Sequence, residues 1–269
     1  MLVASMMKLG RYKAFIFDLD GCIYRGNKLI EGAAETIWLL RQLGKKILFL
    51  TNNATKTPEA YAEKLQRMKI QVSPQEVLTS GTATAIFLRM KFGKTTVLPI
   101  GGDSLVQELR RQGHKIVELN SRVLPRFVVT CLDYDFNYEK MRIAVNAILS
   151  GARFIATNTD PNVPVEKGFE PGAGAIVSAI STASGVKPIV IGKPSEHMMR
   201  MALQVLAVRG KESVTVGDRI DTDIAAGKKI GALTVLVLSG YSKRSHVESS
   251  RLKPDLILSN VAELQHYLI

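Results

Sequence analysis

Cysteine, histidine and aromatic residues are all scarce in this chain, and each scarcity closes off a class of protein. Its two cysteines, Cys22 and Cys131, stand far apart in no CxxC or Cys/His cluster, so they read as structural thiols and not as a disulfide framework. The four histidines, His114, His197, His246 and His266, are scattered without the spacing of metal ligands, which argues against a zinc site. Aromatics make up 6% of the residues and do not interleave with the basic pairs, so base stacking on nucleic acid is not expected. Long apolar runs are missing too: the longest are about strand length, well short of the ~20 residues that a membrane helix needs. The opening MLVASMMKLGRY reaches Lys8 and Arg11 before an apolar stretch of leader length can form, and a cytoplasmic protein is the expectation.

What is present is a globular composition, 46% hydrophobic and 22% charged over 269 residues. That length suggests two domains, or one core with a large insertion. The formal charge of +12 admits nucleic acid, an acidic surface or anionic small substrates as partners. Lys and Arg are dispersed, with no run longer than pairs such as Lys45-Lys46, Arg110-Arg111 and Lys228-Lys229. Dispersed charge reads as a solvated face, so specific nucleic-acid binding is not expected.

Four short apolar runs each end in a small polar cluster. AFIF precedes Asp18-Leu19-Asp20-Gly21, ILFL precedes Thr51-Asn52-Asn53, PIVI precedes Gly192-Lys193-Pro194, and SVTV precedes Gly217-Asp218-Arg219-Ile220-Asp221-Thr222-Asp223. Each run reads as a buried parallel strand, which puts its cluster at the carboxyl end, where open α/β sheets place their ligands. Singly, the clusters have ordinary readings as a solvated turn, a helix N-cap or a Pro-fixed turn. Their ordered recurrence, supplying two acids, a hydroxyl, an amine and further acids, points to phosphoryl transfer through an aspartyl intermediate. Asp18 would attack phosphorus, and Asp20 would protonate the leaving oxygen and then take a proton from the hydrolytic water. Mg²⁺ held by Asp18 and Asp218, with the Lys193 ammonium, would neutralise the substrate's charge. Thr51 and the following backbone amides, at Asn52 and Asn53, would bind phosphoryl oxygens, and Asp223 would orient Lys193 or a metal-bound water.

Around these clusters the pattern is βαβα. Gly26-Asn27 suits a tight hairpin, Gly32 to Leu43 reads as a helix with Ile37, Leu40 and Leu43 on one face, and Thr57-Pro58-Glu59 opens another. From about Gly81 to 187 a second α/β series intervenes between the Thr51 and Lys193 clusters. A single site therefore implies a core formed by 1–80 and 188–269, with 81–187 inserted as a cap. The longest polar stretch of the insert runs from Thr157 through Asn158 and Asp160 to Lys167 and ends in Pro171-Gly172-Ala173-Gly174. It reads either as a surface loop or as a substrate-selecting loop in which Asn158 and Asp160 reach the leaving group.

The four clusters resemble the motifs of the haloacid dehalogenase superfamily over nearly the whole chain. The Thr-Asn-Asn and GDRIDTD forms and the large insert are similar to its 4-nitrophenylphosphatase branch. The resemblance implies a Rossmann-like core, an inserted type II α/β cap, Mg²⁺ dependence and a small phosphomonoester substrate such as a nucleoside monophosphate, sugar phosphate or phosphoglycolate. It further implies that the Asp20 carbonyl joins the Mg²⁺ ligands, that Asp223 stands just behind them, and it admits a homodimer. Cys22 stands where the superfamily more often has Thr or Val, and would make activity oxidant-sensitive if its thiol faced the site. Among other readings, a dehalogenase has no use for Asp20. A phosphotransferase would share the same intermediate, and a basic nucleic-acid-binding module would show steep salt dependence.

Overall fold

The computed structural model of the chain describes residues 8–164 and 168–268; the segment before Lys8, and Glu166 and Lys167 of the polar stretch, lie outside the described residues. The first apolar run forms β1 (Ala14–Phe17), buried at every position, as expected of a strand covered on both faces. Gly26 and Asn27 turn the antiparallel hairpin of β2 (Tyr24–Arg25) and β3 (Lys28–Leu29), with Tyr24 opposite Leu29. Helix α1 (Ala33–Gln42) buries Ile37 and Leu40. Leu43, expected on that face, is instead 40% exposed, because the helix stops at Gln42 and Gly44 turns the chain at φ 67°. Next come β4 (Lys46–Thr51), α2 (Pro58–Arg67) with Pro at its first position, and β5 (Val77–Thr79).

The second series opens with α3 (Ser80–Phe92), β6 (Thr96–Ile100), α4 (Asp103–Arg111) and β7 (Lys115–Ile116). It continues through β8 (Phe127–Thr130), α5 (Tyr138–Leu149) and β9 (Arg153–Ala156). The polar stretch that follows carries structure of its own: β10 (Asn162–Pro164) and β11 (Phe169–Pro171) pair antiparallel, Val163 opposite Glu170. After them come α6 (Ala173–Ser184), β12 (Ile189–Val190) and α7 (Glu196–Leu206). The chain ends through β13 (Ser213–Gly217), α8 (Ala225–Lys229), β14 (Leu233–Val237), α9 (Arg244–Ser249) and β15 (Leu256–Leu258).

These elements form two compact units. One comprises Met1–Thr51, Glu59–Leu78 and Met199–Ile269, the other Asn52–Pro58 and Thr79–Met198. The first unit is built on a six-stranded sheet of order β15-β14-β13-β1-β4-β5. Its pairs β1–β13, β1–β4, β13–β14 and β14–β15 are parallel. Phe15, Phe17 and Phe49 pack on it with successive ring centroids 6.2 Å apart, within a core that includes Ile37, Leu40, Tyr61 and Leu65.

The second unit holds a five-stranded parallel sheet of order β12-β9-β8-β6-β7. Of the four apolar runs singled out in the sequence, three therefore lie side by side as β13, β1 and β4. The fourth, before Gly192-Lys193, is β12, a half-buried edge strand that pairs parallel with β9 of the second sheet.

Neither cysteine is in a disulfide. Cys22 is wholly buried, its Sγ 3.8 Å from the Val216 carbonyl. Burial, with the Asp133 charge adding to it, pushes the Cys131 thiol up to about 12. A thiol with so little thiolate at neutral pH is a poor nucleophile. Brief treatment with iodoacetamide at neutral pH should leave the native protein unmodified and active, and label both cysteines only after denaturation. Mass spectrometry showing rapid native labelling of Cys22 would contradict this.

Candidate active site

In the first unit the chain winds outward from β1 in one direction through β4 and β5, and in the other from β13 through β14 and β15. The boundary between β1 and β13 is thus the switch point of the sheet, the position at which open α/β sheets bind their ligands beyond the strands' carboxyl ends. Asp18 is the first residue past β1, and its N–H donates to the Val216 carbonyl at 2.9 Å. Asp218 is the first past β13, and Asp223 lies in a π-helical turn over Ile220–Ile224. Asp18, Asp218 and Asp223 each bring a carboxylate oxygen to within 4.8 Å of the others. Asp218 is 4% exposed and Asp223 1%.

Three carboxylates this close repel one another, and burial strengthens the repulsion. An all-oxygen set of this kind suits a hard divalent cation such as Mg²⁺. The acids are fixed from behind. The Tyr241 N–H donates to Asp218 Oδ2 at 2.6 Å, and the Arg219 N–H to Asp223 Oδ2 at 3.0 Å. Gly21, at φ +86°, lies so near the Asp218 carboxyl group that a Cβ there would collide with it. The backbone at this point therefore requires glycine for two reasons, conformation and space.

The Asp20 carboxylate accepts a hydrogen bond from the Tyr24 hydroxyl at 3.3 Å. Burial pushes the Tyr24 phenol far above its usual range, and the neighbouring Asp20 charge adds to the shift. Tyr24 therefore remains a donor at any working pH. The Lys64 ammonium sits over the face of its ring, 3.4 Å from the centroid, a cation–π contact. Neither Tyr24 nor Lys64 stood out in the sequence. The available signal was the hairpin itself, which returns Tyr24 beside Asp20 as a β-bridge. Thr51, 3% exposed, ends β4 next to β1. The first unit thus gathers Asp18, Asp20, Thr51, Asp218 and Asp223 at the carboxyl ends of three adjacent strands.

The second unit gathers Asn52, Asn158, Asp160 and Lys193. Lys193, 3% exposed, follows β12 through Gly192. Asn52 Oδ1 accepts the Lys193 N–H at 2.8 Å, and Asn52 Nδ2 donates to the Lys193 carbonyl at 2.9 Å and to the Asp160 carboxylate at 3.1 Å. The Asn52 carbonyl accepts Asn158 Nδ2 at 2.8 Å and the Ser80 hydroxyl. Asn158 Oδ1 accepts the Asp160 N–H at 3.1 Å. Asn53 Oδ1 turns onto Thr55, accepting its N–H at 3.0 Å and its hydroxyl at 2.7 Å. The side chains of Asn52, Asn53 and Asn158 thus hold main chain together, a use that their residue types left unannounced.

A strand-end aspartate at the switch point of a parallel sheet, with further acids beside it, is an arrangement suited to hydrolytic chemistry on an anionic substrate in the presence of a divalent cation. The haloacid dehalogenase-like hydrolase family matches residues 15–115, and the related HAD-hydrolase-like family matches residues 190–264. An acid sugar phosphatase of Staphylococcus saprophyticus is 38% identical over 253 residues, 94% of this chain and 96% of that protein. Among solved structures, a p-nitrophenyl phosphatase from Archaeoglobus fulgidus is 37% identical with a TM-score of 0.90, covering 95% of this chain and 98% of its own. A 4-nitrophenylphosphatase from Thermotoga maritima is 32% identical with a TM-score of 0.91, covering 97% and 99%. The chain belongs to the haloacid dehalogenase-like hydrolases, in their 4-nitrophenylphosphatase-like branch, with a Rossmann-like core and an inserted α/β cap. Its activity is phosphoric monoester hydrolysis. Among the described residues no helix is long and apolar enough to cross a membrane.

Proposed function

We propose that this hydrolase is a Mg²⁺-dependent phosphatase of small phosphomonoesters, sugar phosphates first among them, and that it works through a phospho-aspartyl intermediate on Asp18. The observation that carries the reading is the convergence of Asp18, Asp218 and Asp223 at the switch point. In this reading Asp18 attacks phosphorus, and Asp20 protonates the leaving oxygen and afterwards accepts a proton from the hydrolytic water. The Tyr24 hydroxyl fixes the orientation of Asp20. Thr51 and the amides that follow it bind phosphoryl oxygens, and Lys193 contributes a positive charge. Asp18, Asp218 and the main-chain carbonyl of Asp20 are the proposed holders of Mg²⁺, with Asp223 just behind them; the ion when bound offsets the negative charge of the acids and of the phosphoryl group.

Sugar phosphates are put first because a relative covering almost the whole chain is named for them. Residence in the cytoplasm and assembly as a homodimer complete the proposal, the second to be checked by light scattering. The decisive experiment is phosphate release by the purified protein with Mg²⁺ from a panel of sugar phosphates, nucleoside monophosphates, phosphoglycolate and 4-nitrophenyl phosphate. Sugar phosphates should give the highest kcat/KM among the natural esters. A nucleotide or phosphoglycolate leading by about tenfold, a difference of 1.4 kcal/mol in transition-state binding, would replace that substrate class.

A further inference from the structure

We infer that Asp160 and Asn158 are positioning residues for Lys193, acting through Asn52, and not residues that select the leaving group. The inference rests on the proposed role of Lys193 as the cation facing the phosphoryl group. Asn52 uses both ends of its side-chain amide on one peptide segment: Oδ1 takes the Lys193 N–H and Nδ2 reaches the Lys193 carbonyl. An amide gripped on both sides in this way fixes the main chain at that residue, and with it the origin of the lysine side chain.

The Lys193 N–H and carbonyl set which way round this amide sits, and Asp160 reinforces the setting. Its carboxylate, an acceptor only, takes the remaining donor capacity of Asn52 Nδ2 at 3.1 and 3.3 Å, and would repel Asn52 Oδ1 if the amide were reversed. Asn158 holds the same residue from its main-chain side through the 2.8 Å bond to the Asn52 carbonyl, and orients Asp160 by accepting its N–H. Asn52 and Asn158 are 6% and 4% exposed, so water does not readily replace these bonds when they are lost.

Space around the grip is equally restricted. A Cβ at Gly192 would meet the Thr157 carbonyl, Asn52 Oδ1 and Ser80 Cβ. The segment carrying the lysine therefore lies directly against the loop that carries Asn158 and Asp160. That loop continues into the β10–β11 hairpin, whose base is closed by hydrogen bonds from Gly172 N–H to the Pro161 carbonyl and from Gly174 N–H to the Asp160 carbonyl, both 2.9 Å.

A positioning role and a leaving-group role give opposite kinetic patterns. A group that touches the leaving side changes the ratio of efficiencies between two esters. One that sets the lysine changes the step common to both. The test is kcat and KM for 4-nitrophenyl phosphate and for a sugar phosphate, measured on Asp160→Ala, Asp160→Asn and Asn158→Asp, with circular dichroism to confirm the fold.

Asp160→Ala should lower kcat about tenfold or more on both esters, the scale of a misplaced catalytic group, while their kcat/KM ratio stays within about twofold of wild type. Asp160→Asn keeps an acceptor for Asn52 but adds a donor able to pair with a reversed Oδ1, and should recover only part of the loss. Asn158→Asp removes the donor to the Asn52 carbonyl and should behave like Asp160→Ala. A changed ratio, an unchanged kcat in Asp160→Ala, or a fold that collapses in both Asp160 variants would overturn the inference. Wild-type protein that releases no phosphate from any ester would instead overturn the reading on which it rests.

Discussion

Asp18→Asn is expected to abolish turnover, by about 10⁴-fold or more, the scale on which enzymes lose activity with their nucleophile, while the fold is kept. Asn matches Asp in volume, and the hydrogen bond from the residue's N–H to the Val216 carbonyl uses the main chain and is kept. What is lost is the carboxylate that forms the bond to phosphorus. The substitution also takes one charge from three acids lying within 4.8 Å of one another. Relief of that repulsion should raise the thermal midpoint of the metal-free variant above that of the metal-free wild type. Acid-quenched wild-type enzyme should carry a phosphoryl adduct on the Asp18 peptide that the variant lacks. Multiple turnovers by a pure Asp18→Asn sample would remove Asp18 from the mechanism.

The second large effect concerns the metal. Exhaustive chelation should reduce hydrolysis to background, and added Mg²⁺ should restore it. Because the ion would bind the folded acids and not the unfolded chain, saturating Mg²⁺ should also raise the thermal midpoint, by about 2.7 kcal/mol of added stability at a hundred times the dissociation constant. Asp218→Ala removes an acid that is 4% exposed and the acceptor of the Tyr241 N–H. It should shift the Mg²⁺ dependence to much higher concentration or eliminate activity. Full activity in chelator would refute the metal's role.

The sequence conveyed the first unit more fully than the second because a buried parallel strand writes itself as a continuous apolar run. AFIF, ILFL and SVTV became β1, β4 and β13, and the acids after the first and last converge because those two strands are neighbours. PIVI has the same look, yet it lies at an edge beside β9. Strand pairing is a long-range choice, and a run of four residues does not record its partner.

The β10–β11 hairpin was hidden for a local reason. Pro161, Pro164 and Pro171 punctuate it, and proline removes a ladder donor and speaks for a loop. Asn52 reads from the sequence as a backbone amide beside the phosphoryl group, and Asn158 as part of a polar stretch that reaches the leaving group; the side-chain bonding of either is not written in its neighbours. Their engagement with main chain depends on segments more than a hundred positions apart, with Asn52 bonded to Lys193 across 141 residues. Tyr24 is silent in the sequence for the converse reason: a tyrosine in a hairpin is ordinary until the hairpin sets its hydroxyl against Asp20.

The grouping of Asn52–Pro58 with Thr79–Met198 bears on how this chain could be recombined with its relatives. An exchange of residues 81–187 alone would look natural from the motif spacing, since it leaves every motif in the recipient. It would also cut between the donor's Asn158 and Asp160 and the recipient's Asn52, and separate Gly192 from the Thr157 carbonyl to which its N–H is bonded. A chimera that moves 52–58 together with 79–198 transfers both sides of each of these bonds, and is the cassette that should graft with its internal hydrogen bonding intact.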